Sequence, residues 1–112
     1  MYNLEVIDSR NRTIVYPLKV GTVSVGRQSD NDIVINEKSV SRSHCLLYVR
    51  ENYLEVEDLG SANGVIVGGK LISKRTEFKL NDELIIGEVR LAVREAGRDD
   101  EMQTTFMEMP EK

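Results

Sequence analysis

The sequence has one cysteine, one histidine and no excess of positive charge, and each shortage closes off a class of function. A lone Cys45 can form no internal disulfide, so a reducing compartment is the expected setting. His44 and Cys45 are adjacent, and neighbours in a strand point to opposite faces, so they cannot share a metal ion. Neither a metal nor another cofactor is expected. No apolar run approaches the ~18 residues that a membrane helix needs. Residues 1–10 lack the basic patch and apolar stretch of a signal peptide. Asn11-Arg12-Thr13 matches a glycosylation sequon, but with no secretion signal it reads as accidental. A cytoplasmic protein without a membrane partner is the expectation.

With 15 Lys+Arg against 19 Asp+Glu, the net charge of −4 argues against a general nucleic-acid binder. The imbalance is local. Residues 1–98 carry 14 acids and 14 bases, whereas 99–112 carry five acids and one base, so the whole excess sits in the last 14 residues.

Catalytic constellations are missing too. Ser41 and Ser43 lie near His44, but no motif places a third group, and triads are recognised by geometry. Gly21–Gln28 has the glycine spacing of a P-loop without its Lys and Ser/Thr, and Val23 and Val25 alternate there as in a strand. Asp30 and Asp32 do not complete a calcium loop. Glu55 and Glu57 alternate with Leu54 and Val56 and read as the solvent face of a strand. The chain is not expected to be an enzyme.

What is present is one domain's worth of core. A chain of 112 residues, 40% hydrophobic, buries roughly two-thirds of its unfolded surface and needs no disulfide or metal to stand. The dominant hydrophobic period is two. Leu4 and Val6 alternate with polar neighbours, and Ile14, Tyr16, Leu18 and Val20 share one face. Val23, Val25, Ile33, Ile35, then Cys45, Leu47, Val49, Leu54 and Val56 continue the pattern. Leu84, Ile86, Val89, Leu91 and Val93 close it. Turn signals at Asp8–Arg12, Glu51-Asn52, Gly68-Gly69, Asn81-Asp82 and Gly87-Glu88 separate the runs at hairpin spacing. About ten short strands, with no amphipathic helix before residue 95 and no internal repeat, predict an all-β sandwich of two antiparallel sheets.

Gly26–Asn31, Asn36–His44 and Leu59–Gly64 interrupt the hairpin rhythm with polar, glycine-containing loops. Loops at one end of a sandwich cluster in space and carry binding residues on a rigid frame. Arg27 and Arg42 lie on two of them, with Ser41 beside Arg42 and Lys38 nearby. The planar guanidinium fork matches phosphate oxygens, a serine hydroxyl adds a neutral donor, and amides near Gly26 and Gly64 add more. An anion site is the chemistry this leaves, although two loop arginines alone can be plain solvated charges.

Three motifs in order sharpen it: Gly26-Arg27 after a Val-rich strand, Ser41-Arg42-Ser43-His44, and Asp58-Leu59-Gly60-Ser61-Ala62-Asn63-Gly64. With Leu71 and Leu80–Gly87 they make residues 2–95 resemble the forkhead-associated domain. That resemblance implies a sandwich of about eleven strands with its binding loops at one end, and a phosphothreonine-peptide binding module without catalysis. It implies that Arg27 and Ser41 contact phosphate, that Arg42 makes a further phosphate or backbone contact, that Asn63 contacts the peptide backbone, and that Gly26, His44 and Gly64 shape the loops. The family often has a hydroxyl residue where Ala62 stands and Thr where Val65 stands. The expected function is a signalling adaptor downstream of a Ser/Thr protein kinase, with a phosphothreonine-containing protein as partner. The alternative is a phospho-independent assembly domain of the same fold.

Residues 1–96 are expected to form the sandwich and 97–112 an acidic flexible tail. Thr104 and Thr105, in Gln103-Thr104-Thr105-Phe106, are its candidate phosphorylation sites, and self-association through the phosphorylated tail is the consequence expected of them.

Overall fold

A computed structural model describes residues 2–96. The period-two pattern resolves into eleven strands and no helix among these residues. None of the described residues forms a helix long and apolar enough to cross a membrane. The strands are β1 (Tyr2–Ile7), β2 (Thr13–Leu18), β3 (Gly21–Gly26), β4 (Ile33–Val34), β5 (Cys45–Val49) and β6 (Leu54–Asp58). They continue with β7 (Ile66–Val67), β8 (Lys70–Leu71), β9 (Thr76–Phe78), β10 (Leu84–Ile86) and β11 (Val89–Glu95).

Two sheets result, ordered β2-β1-β11-β10-β7-β8 and β4-β3-β5-β6-β9. All pairs are antiparallel except β3 with β4, where Val25 faces Ile33 and Gly26 faces Val34 in parallel register. The first and last strands are neighbours, Tyr2 opposite Glu95 and Ile7 opposite Arg90. The turns behave as their residues demand: Gly68, Gly69, Asn81 and Gly87 all hold positive φ.

Alternation sends one face of each sheet inward. Leu4, Val6, Leu84, Ile86, Val89, Leu91 and Val93 meet Val25, Cys45, Leu47, Val49, Leu54 and Val56 in one core. Full burial of each such side chain is worth roughly 1.5–3 kcal/mol, which holds the sandwich without a staple. Burial also pushes the Cys45 thiol up to about 12, so it behaves as a small hydrophobe rather than a reactive group.

One expected face departs from the pattern. Of Ile14, Tyr16, Leu18 and Val20, only Leu18 is buried, and Ile14 and Val20 are 47% and 58% exposed. β2 is an edge strand that pairs with β1 alone. The edge strand of the other sheet, β4, is two residues long and cannot cover it. Ile14 and Tyr16 instead line an open groove with Val34 and Ile35. Val20 falls outside the strand altogether. Pro17 fits this edge position, where a missing N–H costs no ladder bond.

The register places the connections that matter at one pole. Segments 8–12, 27–32, 35–44, 59–65 and 87–88 all leave from the strand ends near Ile7, Gly26, Cys45, Asp58 and Ile86. Tyr2, Leu18, Gly21, Val49 and Glu95 mark the opposite pole. Thr104, Thr105 and the rest of 97–112 lie outside the described residues.

Candidate functional site

The site begins where β3 runs out. Beyond the β3–β5 ladder the two chains stay together: His44 N–H donates to Val25 C=O at 2.9 Å, Arg27 N–H to Ser41 C=O at 3.0 Å and Gln28 N–H to Arg42 C=O at 3.2 Å. Asn31 Nδ2 adds a second donor to the Arg42 carbonyl at 2.8 Å and one to Gln28 C=O at 2.8 Å. This approach needs glycine at 26, because a Cβ there would overlap the Arg42 carbonyl oxygen and crowd Asn31 Nδ2. Gly26 is thus a packing requirement of the loops.

Arg27 is exposed, yet its guanidinium is anchored: Nε donates to Val40 C=O at 2.9 Å. Both Nη groups are left without a hydrogen bond or carboxylate among the described residues. Ser41 is fixed at three points. Its N–H donates to His44 Nδ1 at 3.0 Å, its C=O takes Arg27 N–H, and its Oγ accepts Ala62 N–H at 2.9 Å. Since Oγ accepts that bond, its own proton remains available for an acceptor. Arg42 is exposed, and its side chain makes no hydrogen bond or ion pair among the described residues.

His44 is fully buried and joins two loops. Because Nδ1 accepts from Ser41 N–H, the ring proton sits on Nε2, which donates to Gly64 C=O at 2.8 Å. Cys45 beside it faces the core. Gly64 is left-handed, φ 75°, and Leu71 Cδ1 occupies the place a Cβ would take. Its N–H donates to Ser61 Oγ at 2.9 Å, and Ser61 Oγ in turn donates to Asp58 Oδ1. The β6–β7 loop is therefore braced internally and tied to His44.

Asn63 is committed in part to its own chain: Nδ2 donates to Ser39 C=O at 2.8 Å. The remaining N–H and the Oδ1 acceptor of that amide have no partner among the described residues. Arg27, Ser41, Arg42, Asn63, His44 and Gly64 thus belong to three adjoining loops at one pole, and Gly26 ends the strand that leads into the first of them.

Two residues of this framework escape sequence reasoning. Asn31 looks like any polar loop residue, and only its proximity to the Arg42 carbonyl gives it a role. Ser39 joins the β4–β5 loop to the β10–β11 turn, where its Oγ accepts Glu88 N–H at 2.9 Å and a Cβ on Gly87 would overlap it. No local pattern connects positions that are 49 apart.

A family model described as the FHA domain matches residues 23–87. Residues from the transcriptional regulatory protein EmbR of Mycobacterium tuberculosis are 39% identical over 67 positions, 60% of this chain and 17% of that protein. An oxoglutarate dehydrogenase inhibitor of Corynebacterium efficiens is 34% identical over 70 positions, 62% of this chain and 49% of that protein. The chain therefore spans about a sixth and about half of these relatives. Among solved structures, the FHA domain of CT664 from Chlamydia trachomatis superposes with a TM-score of 0.78 at 30% identity, covering 86% of this chain and 98% of that one. Mycobacterium tuberculosis EmbR in complex with a low affinity phosphopeptide gives 0.70 at 28%, covering 82% and 24%. Eleven strands in two sheets, the glycine-dependent loop contact and the family match over residues 23–87 lead to one conclusion: the chain belongs to the FHA-domain family, whose members are interaction modules.

Proposed function

We propose that the protein binds phosphothreonine peptides and acts as a cytoplasmic signalling adaptor downstream of a Ser/Thr kinase, without catalysis of its own. The observation that carries this reading is the pair Arg27 and Ser41. Arg27 is anchored by Nε with both Nη groups unspent, and Ser41 is held by three hydrogen bonds with its hydroxyl proton unspent. Pre-positioned donors of this kind suit a dianionic phosphate, which takes charge-assisted bonds from guanidinium and hydroxyl. Arg42 supplies further positive charge from the same loop, and the free half of the Asn63 amide suits a peptide backbone group. Gly26, His44 and Gly64 hold these groups in place rather than touch the ligand.

The EmbR structure with a phosphopeptide supports the reading by analogy, through a match to this chain at 28% identity. Residues 1–96 form the binding unit in this proposal, and 97–112 stand apart from it. Phosphorylation at Thr104 or Thr105 supplies a ligand for the site. Thr104 lies eight positions beyond Ala96, and an extended chain of that length reaches at most ~30 Å. Ala96 follows β11 at the pole opposite the loops, so a second copy is the easier acceptor and self-association the expected result.

The test is a phosphopeptide-library screen with the wild type and Arg27→Ala. Arg27 is exposed in the free protein, but a phosphate seated on its guanidinium would desolvate the pair, and truncating one side of such a pair costs about 2–5 kcal/mol, at least ~30-fold in affinity. Binding should fall by that factor in the variant, should prefer phosphothreonine to phosphoserine, and should vanish for the unphosphorylated peptide. Equal binding of phosphorylated and unphosphorylated peptides, unaffected by Arg27→Ala, would favour a phospho-independent assembly domain instead.

A further inference from the structure

The open side of the sandwich is bounded by β2 in one sheet and β4 in the other, each paired along one edge alone. Between them runs the groove of about 280 Å³ that Ile14 and Tyr16 line with Val34 and Ile35. Exposed apolar side chains gather on this side. Beside Ile14, Val15 on the outer face of β2 is 52% exposed and Val34 40%. From Thr13 to Leu18 the edge strand carries no charge, so it lacks the lysine or inward-pointing charge that commonly blunts an edge. The charged lining of the groove, Asp8, Arg12 and Glu37, belongs to the loop pole, where Asp8 and Arg12 pair at 2.9 Å.

The ladder fixes which backbone groups this edge leaves free. Asp8 N–H donates to Arg12 C=O at 2.9 Å, one step beyond the register pair of Ile7 with Thr13. Antiparallel pairs alternate between bonded and non-bonded. Ile14, Tyr16 and Leu18 therefore bond to β1, and Thr13, Val15 and Pro17 turn their backbone groups outward. Pro17, which has no N–H to donate, falls in the outward set.

We propose that this edge pairs with the same edge of a second copy, β2 antiparallel to β2 with Val15 opposite Val15, joining the two six-stranded sheets into one. The strand is its own complement about that residue. Val15 exchanges both backbone bonds with its mate, and Thr13 N–H meets Pro17 C=O, so the missing Pro17 N–H forgoes one bond at each end. On the inner face Ile14 stands against Tyr16 of the second copy, an aromatic–β-branched pair that suits adjacent strands. On the outer face Val15 stands against Val15. Arg12 falls opposite Leu18, so no like charges meet directly. A continuous sheet needs its two-fold axis perpendicular to the strands and to the sheet, which puts both second sheets on one side. β4 then faces β4, and the two half-open grooves close on each other over Val34. The antiparallel arrangement points the loop poles, with Arg27 and Ser41, in opposite directions. A standard interface takes about 20–30 residues a side, more than a six-residue edge and one groove wall supply. The dimer is accordingly weak, with half-association at about 0.1–1 mM.

The test uses the full chain without phosphorylation, which removes any association driven through Thr104 or Thr105. Sedimentation equilibrium over about 0.02–2 mM, a range that brackets the expected constant, should show the mass rising from one chain toward two. Over the same range, hydrogen exchange followed by NMR should slow at the Thr13 and Val15 amides, whereas Ile14 and Tyr16, already bonded to β1, keep the protection they have. That alternation is read in the wild type and depends on no variant. Val15→Lys sets two ammonium groups face to face on the axis and should hold the mass at one chain. Tyr53→Lys, the same change at an exposed residue of the opposite pole, should associate as the wild type does. A wild type of constant mass overturns the proposal. Association that survives Val15→Lys, or that leaves the Thr13 and Val15 amides exchanging freely, overturns it as well. Association lost equally in Tyr53→Lys marks a general effect of charge and also overturns it.

Discussion

Replacing His44 by leucine nearly conserves side-chain volume and deletes both of its hydrogen bonds. Ser41 N–H then loses Nδ1 and Gly64 C=O loses Nε2–H, contacts of 3.0 and 2.8 Å. Each orphaned group costs about 1–3 kcal/mol, about 2–6 for the pair. Ser41 and Gly64 are themselves only half-buried, so water offsets part of the loss and ~2–3 kcal/mol is the expected net. For a domain of this size that is a drop of about 10–20 °C in Tm. The chain has no tryptophan, so unfolding is best followed by far-UV circular dichroism in a urea titration. The midpoint should fall with the slope unchanged, which marks a change in stability rather than in compactness. His44→Ala should cost more, because the same two bonds go and a cavity is added. A His44→Leu variant within ~0.5 kcal/mol of the wild type would refute the claim that this ring ties the loops together, since that is the scatter of an ordinary surface substitution.

Gly26→Ala should weaken phosphopeptide binding at least ~10-fold and lower stability by about 1–3 kcal/mol, because its Cβ must push away the Arg42 carbonyl and the loops that carry Arg27 and Ser41; calorimetry and thermal melts check both. Cys45 should resist alkylation in the native state at pH 8 and react at the rate of global unfolding. Its thiol is pushed up to about 12 by burial, so its contribution to stability is fully present below the ordinary value of 9.0 and is lost as pH rises toward 12. Labelling as fast as a free thiol would refute that burial. Asp8 is held below its ordinary value of 3.8, first by the Arg12 backbone N–H. The order it gives the β1–β2 turn is therefore present above pH ~4 and lost as pH falls through its folded value, which hydrogen exchange at Arg10 and Arg12 should report. Asp8→Asn should abolish that acid dependence at the turn.

The inward faces of the central strands were legible because a strand buried on one side leaves a period of two. Leu4, Val6, Leu47, Val56 and Leu91 follow it without exception. The same reasoning failed at Ile14 and Val20. Alternation reports which face a residue takes, and whether anything covers that face depends on the opposite sheet, here the two-residue β4. The loop glycines show the same division. Gly26 could be singled out as part of a motif, but the need for it comes from the Arg42 carbonyl, sixteen positions on. Asn31 and Ser39 carried no signal, since hydrogen bonds between loops follow from chain paths that only the folded register sets. Arg27 and Ser41 were legible as residue types suited to an anion. That one is anchored by Nε and the other held at three points required the structure.

The pairing of the first strand with the last has a mechanical consequence. Tyr2 and Glu95 are register partners, so antiparallel geometry holds their Cα atoms about 5 Å apart. A tether pulling on both would load β1 and β11 in an unzipping direction. Their six register pairs, from Tyr2 with Glu95 to Ile7 with Arg90, would open one after another under low force, where a sheared sheet would resist as a block. The loops that hold Arg27, Ser41 and His44 lie at the far end of that zipper, and most of them hang from the other sheet. Tension along the chain would therefore peel the outer sheet from its terminal end while the loop pole kept its hydrogen bonds until the last pairs gave way.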